Sequence, residues 1–131
     1  MHIRTRFGLL LAFAALVGGA RPAAAQAPDG VTPAMIAQGD SIFHSSGNCY
    51  ACHGSNAQGA VGPNLTDAEW LHSDGSYDAI VKQITTGVPQ AESKSGIMMP
   101  PKGGSTITDD QVKAVAAYVY SLSHKAPEKK S

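Results

Sequence analysis

Large apolar side chains are scarce in this sequence. Over residues 26–131, leucine, isoleucine, valine and phenylalanine together number 17 of 106, about 16%, which is below the ~20% at which a domain begins to lack core material. The net charge is too small to indicate disorder, and the length suits a single domain. We therefore expect something other than side chains to fill the centre, and a large apolar cofactor would do so.

An excess of basic residues is also missing. Ten basic residues balance ten acidic ones over the whole chain, but Arg4, Arg6 and Arg21 lie near its start. Without these three arginines, seven basic residues face ten acidic ones, which leaves a net charge near −3. Proteins that bind nucleic acid carry the opposite balance, so we predict no nucleic-acid partner.

The sequence has no apolar run of the ~20 residues that a membrane-spanning helix needs. The apolar stretch Leu9–Val17 is shorter, follows the basic residues Arg4 and Arg6, and is followed by three alanines that end at Ala25. This pattern is typical of a cleaved export signal over residues 1–25. No cysteine that would carry a lipid anchor lies near the cleavage point. We therefore predict an exported, periplasmic protein that is soluble and has no stable membrane insertion after cleavage.

Strand-like alternation is absent as well, and the hydrophobic spacing indicates helices separated by long loops. We predict an all-α domain of three to five helices over residues 32–125, between a flexible lead-in over 26–31 and a charged tail over 126–131. The segment 92–104 is predicted to be loop without regular structure. The first predicted helix begins at Pro33, with Thr32 as its N-cap, and runs towards Gly47. A short helical turn is predicted over Asp67–Leu71 with Thr66 as its cap, and a third helix begins at Tyr77 and is ended by Gly87 and Pro89. The last predicted helix covers Asp109–Ser123 and begins with a capping box of Thr108 and Gln111.

The two cysteines stand in the pattern Cys49-Tyr-Ala-Cys52-His53. C-x-x-C-H is typical of c-type haem attachment, because each thiol can add to one haem vinyl group and two intervening residues match the separation of the vinyls. The histidine that follows then lies under the iron and can coordinate it. Three alternatives stay open: a thioredoxin-like redox pair, a plain disulfide and half of a zinc site. However, the redox pair needs a βαβ setting, the disulfide leaves His53 unexplained, and no second ligand pair has zinc spacing.

A second axial ligand should lie downstream on a loop, and the candidates are Met98 and Met99. Both precede Pro100 and Pro101. The residue before a proline is pushed into an extended conformation, so Met99 projects its thioether from a stiffened backbone. We therefore predict Met99 as the ligand and expect Met98 to pack against protein or to be partly exposed.

The sequence resembles the class I c-type cytochromes, in particular the small single-haem domains of bacterial respiratory chains. The resemblance implies a cytochrome c-like fold wrapped around one covalently bound haem c, in which the first and last helices cross at a small residue with aromatic side chains at the contact. It covers Thr32 to His124 and rests on Gly39 and Phe43, on Cys49–His53, on Gly62-Pro63-Asn64-Leu65, and on Met99-Pro100 before a helix that carries Tyr118.

The resemblance also implies roles for individual residues. His53 and Met99 are expected to fill the two axial positions of the iron. The carbonyl of Pro63 is expected to accept a hydrogen bond from the His53 ring, which orients the imidazole. Trp70 is expected either to reach a haem propionate, as in some relatives, or to be a buried structural tryptophan.

Three functions are compatible with these features. The first is a one-electron carrier without enzyme activity, whose partners are redox proteins such as an oxidase, a reductase or a dehydrogenase. The second is a haem sensor or small peroxidase with an open sixth iron position, and the third is the cytochrome subunit of a larger oxidoreductase. No carboxylate pair, activated nucleophile or phosphate loop indicates catalysis. The remaining candidates are His44, His72 and His124, predicted to be surface residues, and Lys82, Lys94 and Lys102, predicted as a docking patch around the exposed haem edge.

Overall fold

A computed structural model of the chain describes residues 27–124. The export signal predicted over 1–25 and the charged tail predicted over 126–131 lie outside these residues. None of the described helices has the length and apolar content that crossing a membrane requires. The helices are α1 (Pro33–Phe43), α2 (Tyr50–His53), α3 (Tyr77–Thr86) and α4 (Asp109–Ser123), with a short 3₁₀ helix over Pro101–Gly104.

Within residues 27–124 the only strand-like pairing is one antiparallel bridge between Val88 and Met99. The prediction of an all-α fold with long loops is therefore confirmed. The described part of the chain has four α-helices, which lies within the predicted range of three to five.

The helix ends follow their capping signals. The Thr108 hydroxyl accepts from the Gln111 N–H at 3.3 Å, and the Gln111 side chain accepts from the Thr108 N–H at 2.9 Å. This reciprocal pair satisfies two backbone donors at the start of α4. The Thr32 hydroxyl accepts from the Met35 N–H at the start of α1, and Gly87 ends α3 as predicted.

The first helix is shorter than the hydrophobic spacing indicates. It ends at Phe43 instead of continuing towards Gly47. The Ile42 carbonyl accepts from the N–H groups of both Ser45 and Gly47, so the chain turns back on itself. Asn48 then adopts a φ of 53°, and the turn leads directly into α2.

The helical turn predicted over Asp67–Leu71 behind Thr66 is wrong, since no helix forms there. The Asn64 side chain accepts from both the backbone N–H and the hydroxyl of Thr66, at 2.8 and 2.7 Å. The Asp67 carboxylate accepts from the Glu69 N–H at 3.0 Å. These side chains bind the backbone locally and stabilise turns in place of a helix.

The segment 92–104 is predicted to lack regular structure, and this prediction is wrong for its last four residues. Pro101 begins a short 3₁₀ helix that reaches Gly104. Lys102 and Gly103 have positive φ values of 53° and 66°, which reverses the chain direction. The reversal leads the chain from Met99 back towards the start of α4.

Helices α1 and α4 cross at Gly39. A Cβ at this position would overlap the carbonyl of Ala114 and lie 2.9 Å from the Cβ of Tyr118. Next to the crossing, the fully buried Phe43 ring meets the Tyr118 ring edge-on, with ring centroids 5.4 Å apart. The predicted crossing at Gly39 near Tyr118 is therefore confirmed, and the close approach of the two backbones requires glycine.

Helix α3 packs against α4 beside this crossing. The Tyr77 hydroxyl at its start donates to the Lys113 carbonyl of α4 at 3.2 Å. The buried core lies between the three longer helices and consists of Ile42, Phe43, Ala57, Ile80, Ile84, Ile107, Val112, Ala114, Val115, Ala116 and Val119.

We predict that Gly39→Val lowers the free energy of unfolding by about 1–3 kcal/mol, the range of core overpacking. The valine side chain has to displace the Ala114 carbonyl, so α1 and α4 must separate. Ala37→Val on the exposed face of the same helix is the control and should cost less than about 1 kcal/mol. Denaturant unfolding measures both, and equal effects of the two variants would contradict the crossing.

Candidate functional site

A cavity of about 900 Å³, open to solvent, lies between α2, α3 and the loops that follow them. Its walls include both cysteines, His53 and Met99. A second compartment of about 400 Å³, also open to solvent, shares His53 and Met99 with the first and is lined by Ile80 and Ile84 of α3 and by Val115 and Val119 of α4.

The single turn of α2 brings the C-x-x-C-H side chains to this cavity. Cys49 caps the helix, and its carbonyl accepts from the N–H groups of Cys52 and His53 at 3.2 and 3.0 Å. Residues three apart on a helix lie on one face. Cys49 is half-buried, Cys52 is exposed, and His53 is buried between them and the interior.

The imidazole of His53 is oriented by the loop that follows α2. Its Nδ1 lies 2.9 Å from the Pro63 carbonyl, and because a carbonyl only accepts, Nδ1 carries the proton. Nε2 therefore carries the lone pair. Burial lowers the pKa of His53, and the hydrogen bond to Pro63 opposes this only in part. A neutral imidazole with a fixed tautomer is the form that coordinates a metal.

The state of Cys49 weakens one alternative interpretation of the motif. Burial raises the pKa of this thiol to about 11, so it stays protonated at neutral pH. A thioredoxin-like redox pair instead needs a lowered thiol pKa. Within residues 27–124 no group of three or more His, Cys, Asp or Glu side chains has the arrangement of a metal site.

Met99 is held at the wall of the cavity by the segment that follows α3. The N–H and carbonyl of Val88 exchange hydrogen bonds with those of Met99 at 2.8 and 2.9 Å. Gly87 has a φ of 68°, and a Cβ there would overlap the Met99 carbonyl. Only glycine permits this approach, because it both tolerates positive φ and lacks a side chain. Met99 is half-buried and lines both compartments.

Met98 lies at the outer rim of the cavity and is 49% exposed. Its N–H donates to the Gln90 side chain at 3.2 Å, and the Gln90 amide also donates to the Gly96 carbonyl. These bonds close the loop between Val88 and Met99. The structure thus distinguishes the two methionines by position, and the choice of Met99 as ligand remains a prediction.

Trp70 is half-buried and lines both compartments of the cavity. Its indole ring lies against Gly75, where a Cβ would be only 2.7 Å from Cε2 of the ring. This position is compatible with both expectations for Trp70, as a contact to the cofactor and as a packing residue.

The other candidates are spread over the surface. His72 lines the cavity and accepts from the Lys94 N–H at 3.0 Å, whereas His44 and His124 lie away from the cavity. Lys82 and Lys94 line an adjoining groove. The predicted lysine patch is not assembled at the cavity, because no lysine is among the described residues that line it. The exposed residues on its wall include the apolar side chains of Val61, Ile97 and Met98 and the polar side chains of Asn48, Glu69 and Ser95. Lys102 pairs with Asp109 at 2.8 Å.

Gln83 on α3 is a candidate site residue that the sequence does not indicate. Its side-chain oxygen is buried and has no hydrogen-bond partner among the described residues, although it lies on the wall of both compartments. Gln83 stands beside the apolar stripe of Ile80 and Ile84, and a polar residue there looks like an ordinary solvent-facing position in the sequence. Only the structure reveals it.

The helical fold, with a C-x-x-C-H turn on the wall of a largely apolar cavity, is that of a class I c-type cytochrome. The chain belongs to the family described as "Cytochrome C oxidase, cbb3-type, subunit III", which matches residues 34–119. A cytochrome c domain of this kind carries haem c and transfers electrons. The imidazole, the thioether and the two thiols on the cavity walls fit the ligand chemistry that haem c requires.

Individual relatives agree with this assignment. The chain is 43% identical over 104 residues to the "Cbb3-type cytochrome c oxidase subunit CcoP" of Rubrivivax gelatinosus, which covers 79% of this chain and 30% of the relative. It is 37% identical over 100 residues to the corresponding subunit FixP of Rhizobium meliloti (strain 1021), covering 74% and 30%. The chain thus spans about 30% of the length of these relatives.

A solved structure with a similar fold is cytochrome cL from the marine methylotrophic bacterium Methylophaga aminisulfidivorans MPT. The TM-score is 0.55 at 26% sequence identity, over 70% of this chain and 55% of that one. The likeness supports the helical cytochrome c fold.

His44 connects the end of α1 to the loop after α2. Its Nδ1 lies 2.8 Å from the Asp40 carbonyl and 3.0 Å from the Asp40 carboxylate, and its Nε2 lies 2.7 Å from the Ser55 carbonyl. Because all three partners accept, the doubly protonated ring satisfies them best. The bond to Ser55 is the main cause that raises the pKa of His44, followed by the bond to Asp40.

We predict that His44→Gln lowers stability more at acidic than at alkaline pH. The folded-state pKa of His44 lies above the ordinary value of 6.5, so its contribution is fully present below that value and is lost as pH rises through the raised pKa. Urea unfolding of both proteins between about pH 5 and pH 9 measures the difference. A difference that does not change with pH would contradict the proposed ionisation.

Proposed function

We propose that the chain is a one-electron carrier with a single haem c, attached through thioethers to Cys49 and Cys52 and ligated by His53 and Met99. The observation that carries this proposal is the convergence of two thiols, one imidazole and one thioether on the walls of one largely apolar cavity. Imidazole and thioether together are the axial pair of electron-transfer cytochromes.

When bound, the haem supplies the Fe(III)/Fe(II) couple, and the protein's own residues determine its behaviour. His53 binds through the Nε2 lone pair while Pro63 holds the ring orientation. The Met99 thioether favours the reduced state and raises the potential. With both His53 and Met99 bound to the iron, oxygen and peroxide would find no free coordination position. The site is therefore built for electron transfer without substrate turnover.

The proposed setting is outside the cytoplasmic membrane, where a soluble carrier would pass electrons between respiratory or dehydrogenase partners. The export pattern over 1–25 supports this setting. The second candidate is an electron-transfer unit within a cbb3-type oxidase, which the family match favours. Purification from native membranes under mild conditions distinguishes the two, because a subunit stays with the oxidase and a carrier is released.

We predict different outcomes for the two neighbouring methionines. Met99→Ala should abolish the weak red-region absorption band of iron–methionine bonding and lower the redox potential, because the thioether is lost. Met98→Ala is the matched control and should keep the band, since Met98 is half-exposed at the rim. Absorption spectra and a redox titration measure both effects, and the reverse pattern would contradict the assignment of Met99.

Binding of carbon monoxide to the same variants tests the alternative function of a haem sensor or peroxidase. The native protein and Met98→Ala should barely react with carbon monoxide, because the sixth position is filled. Met99→Ala should bind it readily. Fast binding of carbon monoxide, or vigorous peroxide turnover, by the native protein would instead favour a haem sensor or peroxidase.

A further inference from the structure

Gln83 is the polar side chain that faces the interior from α3. Its Oε1 is buried without a hydrogen-bond partner among residues 27–124. The compartment around it is lined mainly by apolar side chains such as Ile80, Ile84 and Val119. Buried polar groups in folded proteins are nearly always partnered, so an amide at this position calls for an explanation.

The last turn of α3 joins Gln83 rigidly to the methionine segment. The Gln83 carbonyl accepts from the Gly87 N–H at 2.8 Å. Gly87 in turn packs against the Met99 carbonyl, and Val88 exchanges two backbone hydrogen bonds with Met99. Consequently the backbone positions of Gln83 and Met99 are fixed relative to each other. The side chains of both residues line the same two compartments.

The chemistry of the two groups is complementary. A terminal amide offers N–H donors as well as an oxygen, and rotation by half a turn exchanges them. The Met99 thioether sulfur is a weak acceptor. The Nδ1 proton of His53 is already bonded to the Pro63 carbonyl, so it does not bond the amide oxygen of Gln83.

We propose that Gln83 is a positioning residue whose amide N–H donates to the Met99 sulfur in the haem-loaded protein. This inference rests on the proposed function, because it takes Met99 to be the distal ligand. The hydrogen bond withdraws electron density from the thioether, which destabilises Fe(III) more than Fe(II) and raises the potential. It also restricts the rotation of the Met99 side chain. Hydrogen bonds to an axial ligand are one of the means by which proteins set haem potentials.

The test compares Gln83→Leu with Gln38→Leu, both in the haem-loaded protein. The two substitutions make the same chemical change, but Gln38 is exposed on α1 and remote from the cavity. We expect Gln83→Leu to shift the midpoint potential downward and to move or broaden the methyl proton resonance of Met99 in the reduced protein. Gln38→Leu should leave both unchanged, and both variants should retain covalent haem and the iron–methionine band.

Wild-type values of both the potential and the Met99 resonance in folded Gln83→Leu would overturn the proposal. A changed potential with an unmoved Met99 resonance would also overturn it, because Gln83 would then act on the haem by a route other than the Met99 sulfur. If Gln83→Leu fails to retain haem, Gln83→Ala is measured in the same way. Absence of covalent haem in the wild-type protein would contradict the proposed function instead, so the two failures are distinguishable.

Discussion

The same apolar side chains of α3 and α4 form part of the buried core and part of the cavity wall. Ile80, Ile84, Val115 and Val119 are part of the buried core and also form the wall of the cavity. The core is therefore continuous with the space intended for the cofactor. Apolar surface on such a wall is stabilising only when it is kept from water, so the packing of α3 against α4 depends on what fills the cavity. This dependence agrees with the shortage of large apolar residues in the sequence.

The remaining structure holds the candidate ligands His53 and Met99 on the walls of that cavity. The crossing at Gly39 fixes α1 against α4, and the chain then turns at the end of α1 into α2. The loop after α2 returns Pro63 to His53. The close approach at Gly87 and the bridge from Val88 hold Met99. Each of the two candidate ligands is thus held by contacts to the backbone.

The sequence predicted those parts of the fold whose signals are local. The capping box of α4 and the end of α3 at Gly87 were predicted correctly because neighbouring residues determine them. The helical turn over Asp67–Leu71 was predicted wrongly because the side chains of Asn64 and Asp67 bind the backbone in competition with helix formation.

For the site, the cysteine motif and the loop methionines were visible in the sequence, since their spacing carries the chemistry. Gln83 was not visible, because its burial depends on long-range packing between α3, α4 and the methionine segment. The predicted lysine patch was wrong for the same reason, because the positions of lysines relative to the cavity also depend on long-range packing. Which residues surround the cavity is a property of the folded chain, and among residues 27–124 its exposed residues include Val61, Ile97 and Met98 but no lysine.

The site as proposed depends on haem that is covalently held by Cys49 and Cys52 and fills the cavity. Mass spectrometry of the mature protein after denaturation and acid-acetone extraction tests for this covalent bond. We expect the extra mass of one haem, located by peptide mapping to the segment of Cys49 and Cys52, and no such mass when both cysteines are replaced by serine. A protein whose haem is extracted freely, or whose two cysteines are joined in a disulfide, would contradict it.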